Sequence, residues 1–203
     1  MTLATKLTVT RVVSSPLFMV LFFMDGDYQY DNNPLILKFL TLLLAIAFSV
    51  LDGTDGFFAR KRNEISNLGK LLDPYADKIS NITVFLCFLA SGYAQVWMVL
   101  IIVYRDFTIS TLRTICAAEN IILAARKSGK QKTVFQAVAI ITILSLSFLL
   151  DIVRLIHVPT HSFLTQYWSL TANFFMFLTC FVTGFSIIDY LIANKQLLKK
   201  YFK

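Results

Sequence analysis

The chain has 203 residues, 57% of them hydrophobic and 15% charged, with a net charge of +7 and a positive mean hydropathy. That balance excludes an ordinary soluble domain of this size and predicts an integral membrane protein. The positive charge does not argue for nucleic acid, because basic residues flank apolar runs and no recognised nucleic-acid module interrupts them. Anionic lipid headgroups suit it better.

Six apolar runs suited to crossing about 30 Å of hydrocarbon follow in chain order: Val9 to Met24, Leu35 to Val50, Leu71 to Ala90, Val96 to Ala117, Val134 to Val153 and Ser169 to Ile192. The first resembles a signal peptide, with Lys6 and Arg11 ahead of apolar residues, but no small-residue cleavage site precedes Met24-Asp25-Gly26-Asp27. It is read as a mature helix bent at Pro16. The second, continued to Arg60, would be about 39 Å long as one helix, bringing its polar end to the membrane interface. Asn63 to Leu68 is polar and turn-like, and Gly69 opens the third helix. The loops are short apart from the basic stretch after the fourth run, and no repeat is evident, so residues 1–203 read as one domain. Cys87, Cys116 and Cys180 each fall within a predicted helix and read as small buried hydrophobes. His157 and His161 fall in a predicted external loop, away from the acids.

Basic residues collect in cytoplasmic loops. With six helices and both termini inside, sixteen of the nineteen Lys and Arg residues lie on the cytoplasmic side. Lys38 and Arg154 fall outside, and Arg105 lies within the fourth helix. The expected location is the inner, cytoplasmic membrane.

Four aspartates on neighbouring hydrophobic helices need a compensating cation, since a charge at membrane depth costs roughly 3 kcal/mol or more. At about 100° per residue, Asp52 and Asp55 share a face with Gly56, Ala59 and Arg60, while Asp73 and Asp77 stack one turn apart on the next helix. Carboxylates without His or Cys nearby suit magnesium or manganese, which leave coordination positions for phosphate oxygens. Gly56 would let a substrate approach the backbone closely, and Arg60 offers a bidentate grip on phosphate.

A second anion site is expected on the fourth helix, where Arg105 and Arg113 fall within about 80° of each other. Lys127-Ser128-Gly129-Lys130-Gln131-Lys132 follows at the same mouth. The residues alone leave other readings open. Arg105 with Asp106 can be a local charge pair, Arg113 an interfacial anchor, and the lysine cluster a plain attraction to the lipid surface.

The spacing D-x2-D-G-x2-A-R-x8-G-x3-D-x3-D, matched at every defined position from Asp52 to Asp77, resembles the signature of the CDP-alcohol phosphotransferase family. That resemblance implies an all-α integral membrane fold of six transmembrane helices enclosing a cytoplasm-facing polar cavity with a dinuclear metal site, in a homodimer. It implies a hydroxyl attacking the lipid-bearing phosphorus of a CDP-lipid and expelling CMP. Asp52, Asp55 and Asp73 would hold one Mg2+ or Mn2+ ion, and Asp52, Asp73 and Asp77 a second, with Asp77 also the proton acceptor. Gly56, Arg60 and Ser66 match positions that hold the cytidine diphosphate, and Thr8 is grouped with them.

The stretches RDFTISTLR and AARKSGKQKT, the opening LTVTR, and GFSIIDYL before a basic tail resemble the family's bacterial phosphatidylglycerophosphate synthase branch. This implies CDP-diacylglycerol and glycerol 3-phosphate as partners, with Arg105, Arg113 and Lys130 on the acceptor phosphate. Ala4-Thr5 stands where that branch usually has Pro-Asn, and Asp189 resembles a family feature of open role. Two rivals remain: the same chemistry on another acceptor, such as phosphatidylglycerol or an inositol phosphate, and a divalent-cation transporter. A transporter needs an exit path, and the external halves of the helices offer almost no ionisable groups for one.

Overall fold

The computed structural model describes the backbone of residues 3–24, 35–62, 67–118, 127–156 and 162–195. It describes the side chains of residues 9–24, 35–50, 75, 76, 78–116, 128–153, 156 and 166–195. The elements are six helices: α1 (Leu3–Met24), α2 (Leu35–Arg62), α3 (Asn67–Ala90), α4 (Val96–Ala118), α5 (Lys127–Leu155) and α6 (Ser162–Ala193). A helix satisfies its backbone internally, which an apolar surrounding demands. Hydroxyls that would otherwise compete fold back onto carbonyls one turn earlier: Thr41 Oγ1 donates to Leu37 O at 2.8 Å, Ser80 Oγ to Ala76 O at 3.0 Å and Thr83 Oγ1 to Ile79 O at 2.8 Å. The first helix runs unbroken through Pro16.

The turn from α3 to α4 is a Schellman cap. Gly92 sits at φ 75°, Tyr93 N donates to Phe88 O at 2.8 Å and Gly92 N to Leu89 O at 3.2 Å. The Tyr93 ring packs edge-on against Phe88, centroids 6.1 Å apart, supplying the hydrophobic contact that accompanies such caps.

The principal packing partners among the described residues form a closed ring: α1 on α2, α2 on α5, α5 on α6, α6 on α4, α4 on α3, and α3 on α1. One end of the ring, beside the α3–α4 turn, is filled by Phe18, Phe22, Phe48, Phe85 and Phe88. Toward the other end the inward positions become polar, with Arg11, Ser15, Ser80, Arg105, Lys132 and Ser186 all buried. Large apolar side chains such as Leu17, Leu43, Tyr104, Phe177 and Phe181 lie exposed on the outside. An exterior rich in exposed apolar side chains, with charged groups buried inside, is consistent with a membrane protein. Residues 128–153 and 166–193 are long and apolar enough to cross a bilayer by length and composition, and residues 9–24, 35–50 and 78–90 form shorter apolar stretches.

Two sequence expectations are revised. The basic stretch expected as a loop is helical from Lys127, so Ser128 to Thr133 form the opening turns of α5. The third helix begins at Asn67 rather than Gly69. Cys87, Cys116 and Cys180 are buried free thiols, as expected.

Candidate active site

On α2 the buried positions are Lys38, Thr41, Ala45 and Phe48, at alternating spacings of three and four. That register next reaches positions 52 and 55. On α3 the buried series Phe88, Val84 and Ser80 continues back to Ala76. Positions 52 and 55 lie seven to ten residues before the end of α2, and 73 and 77 lie six to ten after the start of α3. At 1.5 Å per residue, both pairs are about 10–15 Å from the short connection between the helices. The side chains of Asp52, Asp55, Gly56, Arg60, Asp73, Asp77 and Thr8, and all of Ser66, lie outside the described residues. Among the described residues no group of three or more His, Cys, Asp or Glu is placed to hold a metal ion.

The described part of the site is a buried ionic cluster where α4, α5 and α6 meet. Arg105 Nη1 donates to Asp106 Oδ1 at 3.0 Å, and Arg105 Nη2 to Ser186 Oγ of α6 at 2.8 Å. Lys132 Nζ of α5 contacts both oxygens of Asp106, at 2.6 and 2.7 Å. All three charged side chains are buried, at 11%, 7% and 7% exposure for Arg105, Asp106 and Lys132. Gly129 lies beside the guanidinium: an added Cβ would stand 3.5 Å from Arg105 Nη2, in ordinary van der Waals contact. Arg105 Nε is buried, with no hydrogen-bond partner among the described residues. The cluster therefore combines two cations, one carboxylate and an unused donor, which suits an anionic ligand.

Of the expected acceptor residues, Arg105 is in this cluster, whereas Arg113 on α4 and Lys130 on α5 are exposed. Lys78 of α3 lies at its edge, 5.6 Å from the centroid of Phe107 and within electrostatic reach of Asp106 and Arg113. The local charge pair of Arg105 with Asp106, an alternative reading of the sequence, is present, but it is one part of a three-helix network. Sequence reasoning missed the inward placement of Lys132 and the contribution of Ser186. The first had a signal: Ser128, Lys132 and Gln136 recur every four residues, and all three are buried. Ser186 had none short of the tertiary fold.

Asp189 accepts a hydrogen bond from Ser128 at 2.6 Å, joining the start of α5 to the end of α6. At the opposite end of the bundle, Lys38 of α2 forms a buried ion pair with Asp151 of α5. The half of the molecule expected to be nearly free of ionisable groups thus holds a charge pair.

A family model described as CDP-alcohol phosphatidyltransferase matches residues 1–161. The chain is 32% identical over 146 residues to a Bacillus subtilis (strain 168) protein named CDP-diacylglycerol--glycerol-3-phosphate 3-phosphatidyltransferase, covering 70% of this chain and 76% of that relative. Proteins of the same name from Treponema pallidum (strain Nichols) and Rickettsia bellii (strain RML369-C) are 37% identical over 98 residues and 32% identical over 134 residues. Those matches cover 48% of this chain and 45% of the Treponema relative, and 66% of this chain and 70% of the Rickettsia relative. The chain belongs to the CDP-alcohol phosphatidyltransferase family.

Proposed function

We propose that this membrane enzyme transfers the phosphatidyl group of CDP-diacylglycerol to sn-glycerol 3-phosphate, giving phosphatidylglycerophosphate and CMP in phospholipid biosynthesis. The observation that carries the reading is the family match over residues 1–161, a stretch containing both the aspartate signature and the Arg105–Asp106–Lys132 cluster. The relatives named above act, by their names, on this donor and this acceptor.

The chemistry of the donor set fits a hard divalent cation: four carboxylates, two on each of two successive helices. Asp52, Asp55, Asp73 and Asp77 would hold Mg2+ or Mn2+, with two ions in the proposed site. When bound, the metal neutralises charge on the diphosphate and on the leaving CMP. Gly56, Arg60, Ser66 and Thr8 bind and orient the cytidine diphosphate. Arg105, Arg113 and Lys130 hold the acceptor phosphate, with Lys132 joining them because it reaches the same cluster. Asp77 takes the proton from the attacking glycerol hydroxyl, a role open to a carboxylate when the alcohol is positioned as the proton leaves. The oxygen of that hydroxyl then forms the new bond to phosphorus as the bond to CMP breaks.

Six membrane spans, with both termini and the aspartates on the cytoplasmic side of the inner membrane, accord with the distribution of Lys and Arg. A homodimer completes the proposal. Purified protein given CDP-diacylglycerol and, in turn, glycerol 3-phosphate, an inositol phosphate and phosphatidylglycerol tests the acceptor through CMP release. Release with glycerol 3-phosphate is expected. Release only with another alcohol would reassign the acceptor, and metal flux into proteoliposomes without CMP release would favour a transporter.

A further inference from the structure

We infer that Asp106 is a positioning residue that holds Arg105 of α4 and Lys132 of α5 together as a preformed cationic pair for a phosphate monoester. This rests on the proposed acceptor site. The carboxylate is shared: Oδ1 accepts from Arg105 Nη1 at 3.0 Å, while both oxygens meet Lys132 Nζ at 2.6 and 2.7 Å. Both α4 and α5 pack on α6, and the long Lys132 side chain crosses from α5 to meet α4 through this carboxylate. Ser186 fixes the far side of the guanidinium at 2.8 Å. Nη1 and Nη2 each keep a second N–H beyond these bonds, and Nε is buried with no hydrogen-bond partner among the described residues.

Two cations buried this close together repel strongly and are costly to desolvate unless an anion lies between them. Asp106 supplies that anion within the chain, and the three side chains together carry one net positive charge. A phosphate monoester arriving there finds both cations in place. Without the carboxylate, Arg105 and Lys132 would separate, and the ligand itself would have to gather them. The cost falls on acceptor binding and spares the nucleotide.

The test is steady-state kinetics, varying glycerol 3-phosphate and CDP-diacylglycerol in turn, on Asp106→Asn, Asp106→Glu, Lys132→Met and the double variant Asp106→Asn/Lys132→Met. Each protein is first shown to be monodisperse in detergent. Asp106→Asn is expected to raise the KM for glycerol 3-phosphate about tenfold or more while leaving that for CDP-diacylglycerol within about twofold. Asp106→Glu should give an intermediate rise of about threefold, and the double variant should be no worse than Lys132→Met within about twofold, as for residues acting through one another. A lower KM for glycerol 3-phosphate in Asp106→Asn, equal shifts for both substrates, or fully multiplicative losses in the double variant would each overturn the inference. If Asp106→Asn does not fold, Asp106→Glu decides: no selective shift in the acceptor KM defeats it. Failure of the unmodified protein to use glycerol 3-phosphate would strike the acceptor reading and this inference with it, whereas normal turnover with unselective variants strikes this inference alone.

Discussion

Arg105 on α4 reaches Ser186 on α6, 81 residues later, through a 2.8 Å hydrogen bond from Nη2. The guanidinium is thereby held at the junction of three helices, beside Asp106 and Lys132.

If Arg105 serves the acceptor and Arg60 the nucleotide, truncating each should affect different substrates. Losing a charge-assisted hydrogen bond worth roughly 1.5–3 kcal/mol should raise the relevant KM by about ten- to a hundredfold. Arg105→Ala is expected to impair glycerol 3-phosphate use, and Arg60→Ala CDP-diacylglycerol use. Kinetics with each substrate varied checks the split; an Arg105→Ala effect confined to CDP-diacylglycerol would defeat the assignment.

Asp52→Asn, Asp55→Asn and Asp73→Asn should each abolish nearly all activity while leaving a folded, membrane-inserted protein, because each removes charge from a proposed metal ligand. Activity lost on chelation should return with added Mg2+ or Mn2+. Full turnover in excess EDTA would exclude metal dependence.

Space beside Arg105 can be tested at Gly129, where an added Cβ would make ordinary van der Waals contact with Nη2 at 3.5 Å. Gly129→Ala should leave the acceptor KM within about twofold and, as a better helix former, stabilise α5 by up to about 1 kcal/mol. The extra methyl groups of Gly129→Val should displace the guanidinium and raise the acceptor KM. Equal KM values for the two variants would show that the guanidinium does not depend on that space.

The Lys38–Asp151 pair at the opposite end is buried on both sides, so breaking it should cost stability rather than catalysis. Lys38→Met alone takes the cation from beside the buried Asp151 carboxylate, a loss of roughly 3–5 kcal/mol for a buried pair. The double change Lys38→Met/Asp151→Leu should recover much of it. Thermal unfolding in detergent, with activity measured per folded molecule, separates the two effects. A double variant no more stable than the single would argue against the pair.

The helix count was legible in the sequence because six apolar runs are long enough to suit hydrocarbon; the inward faces were less so, since Arg113, expected to share a face with Arg105, is exposed. Helix ends were not legible. Apolar runs mark the residues suited to hydrocarbon, whereas hydrogen bonding carries α1 back to Leu3 and α5 back to Lys127. Reading residues 127–133 as a loop hid the helical phase that buries Lys132 and exposes Lys130. The partnership of Lys38 with Asp151 was also beyond local pattern, since it joins helices more than a hundred residues apart. The aspartates announced themselves by composition and spacing, because acids in apolar helices demand a reason.

The central claim is tested most directly by following radiolabelled glycerol 3-phosphate into lipid while measuring CMP from CDP-diacylglycerol, using purified protein with Mg2+ or Mn2+. The expected result is labelled phosphatidylglycerophosphate formed one-for-one with CMP, and neither product from Asp77→Asn. CMP release without label in lipid, or label entering lipid in the absence of CDP-diacylglycerol, would contradict the account.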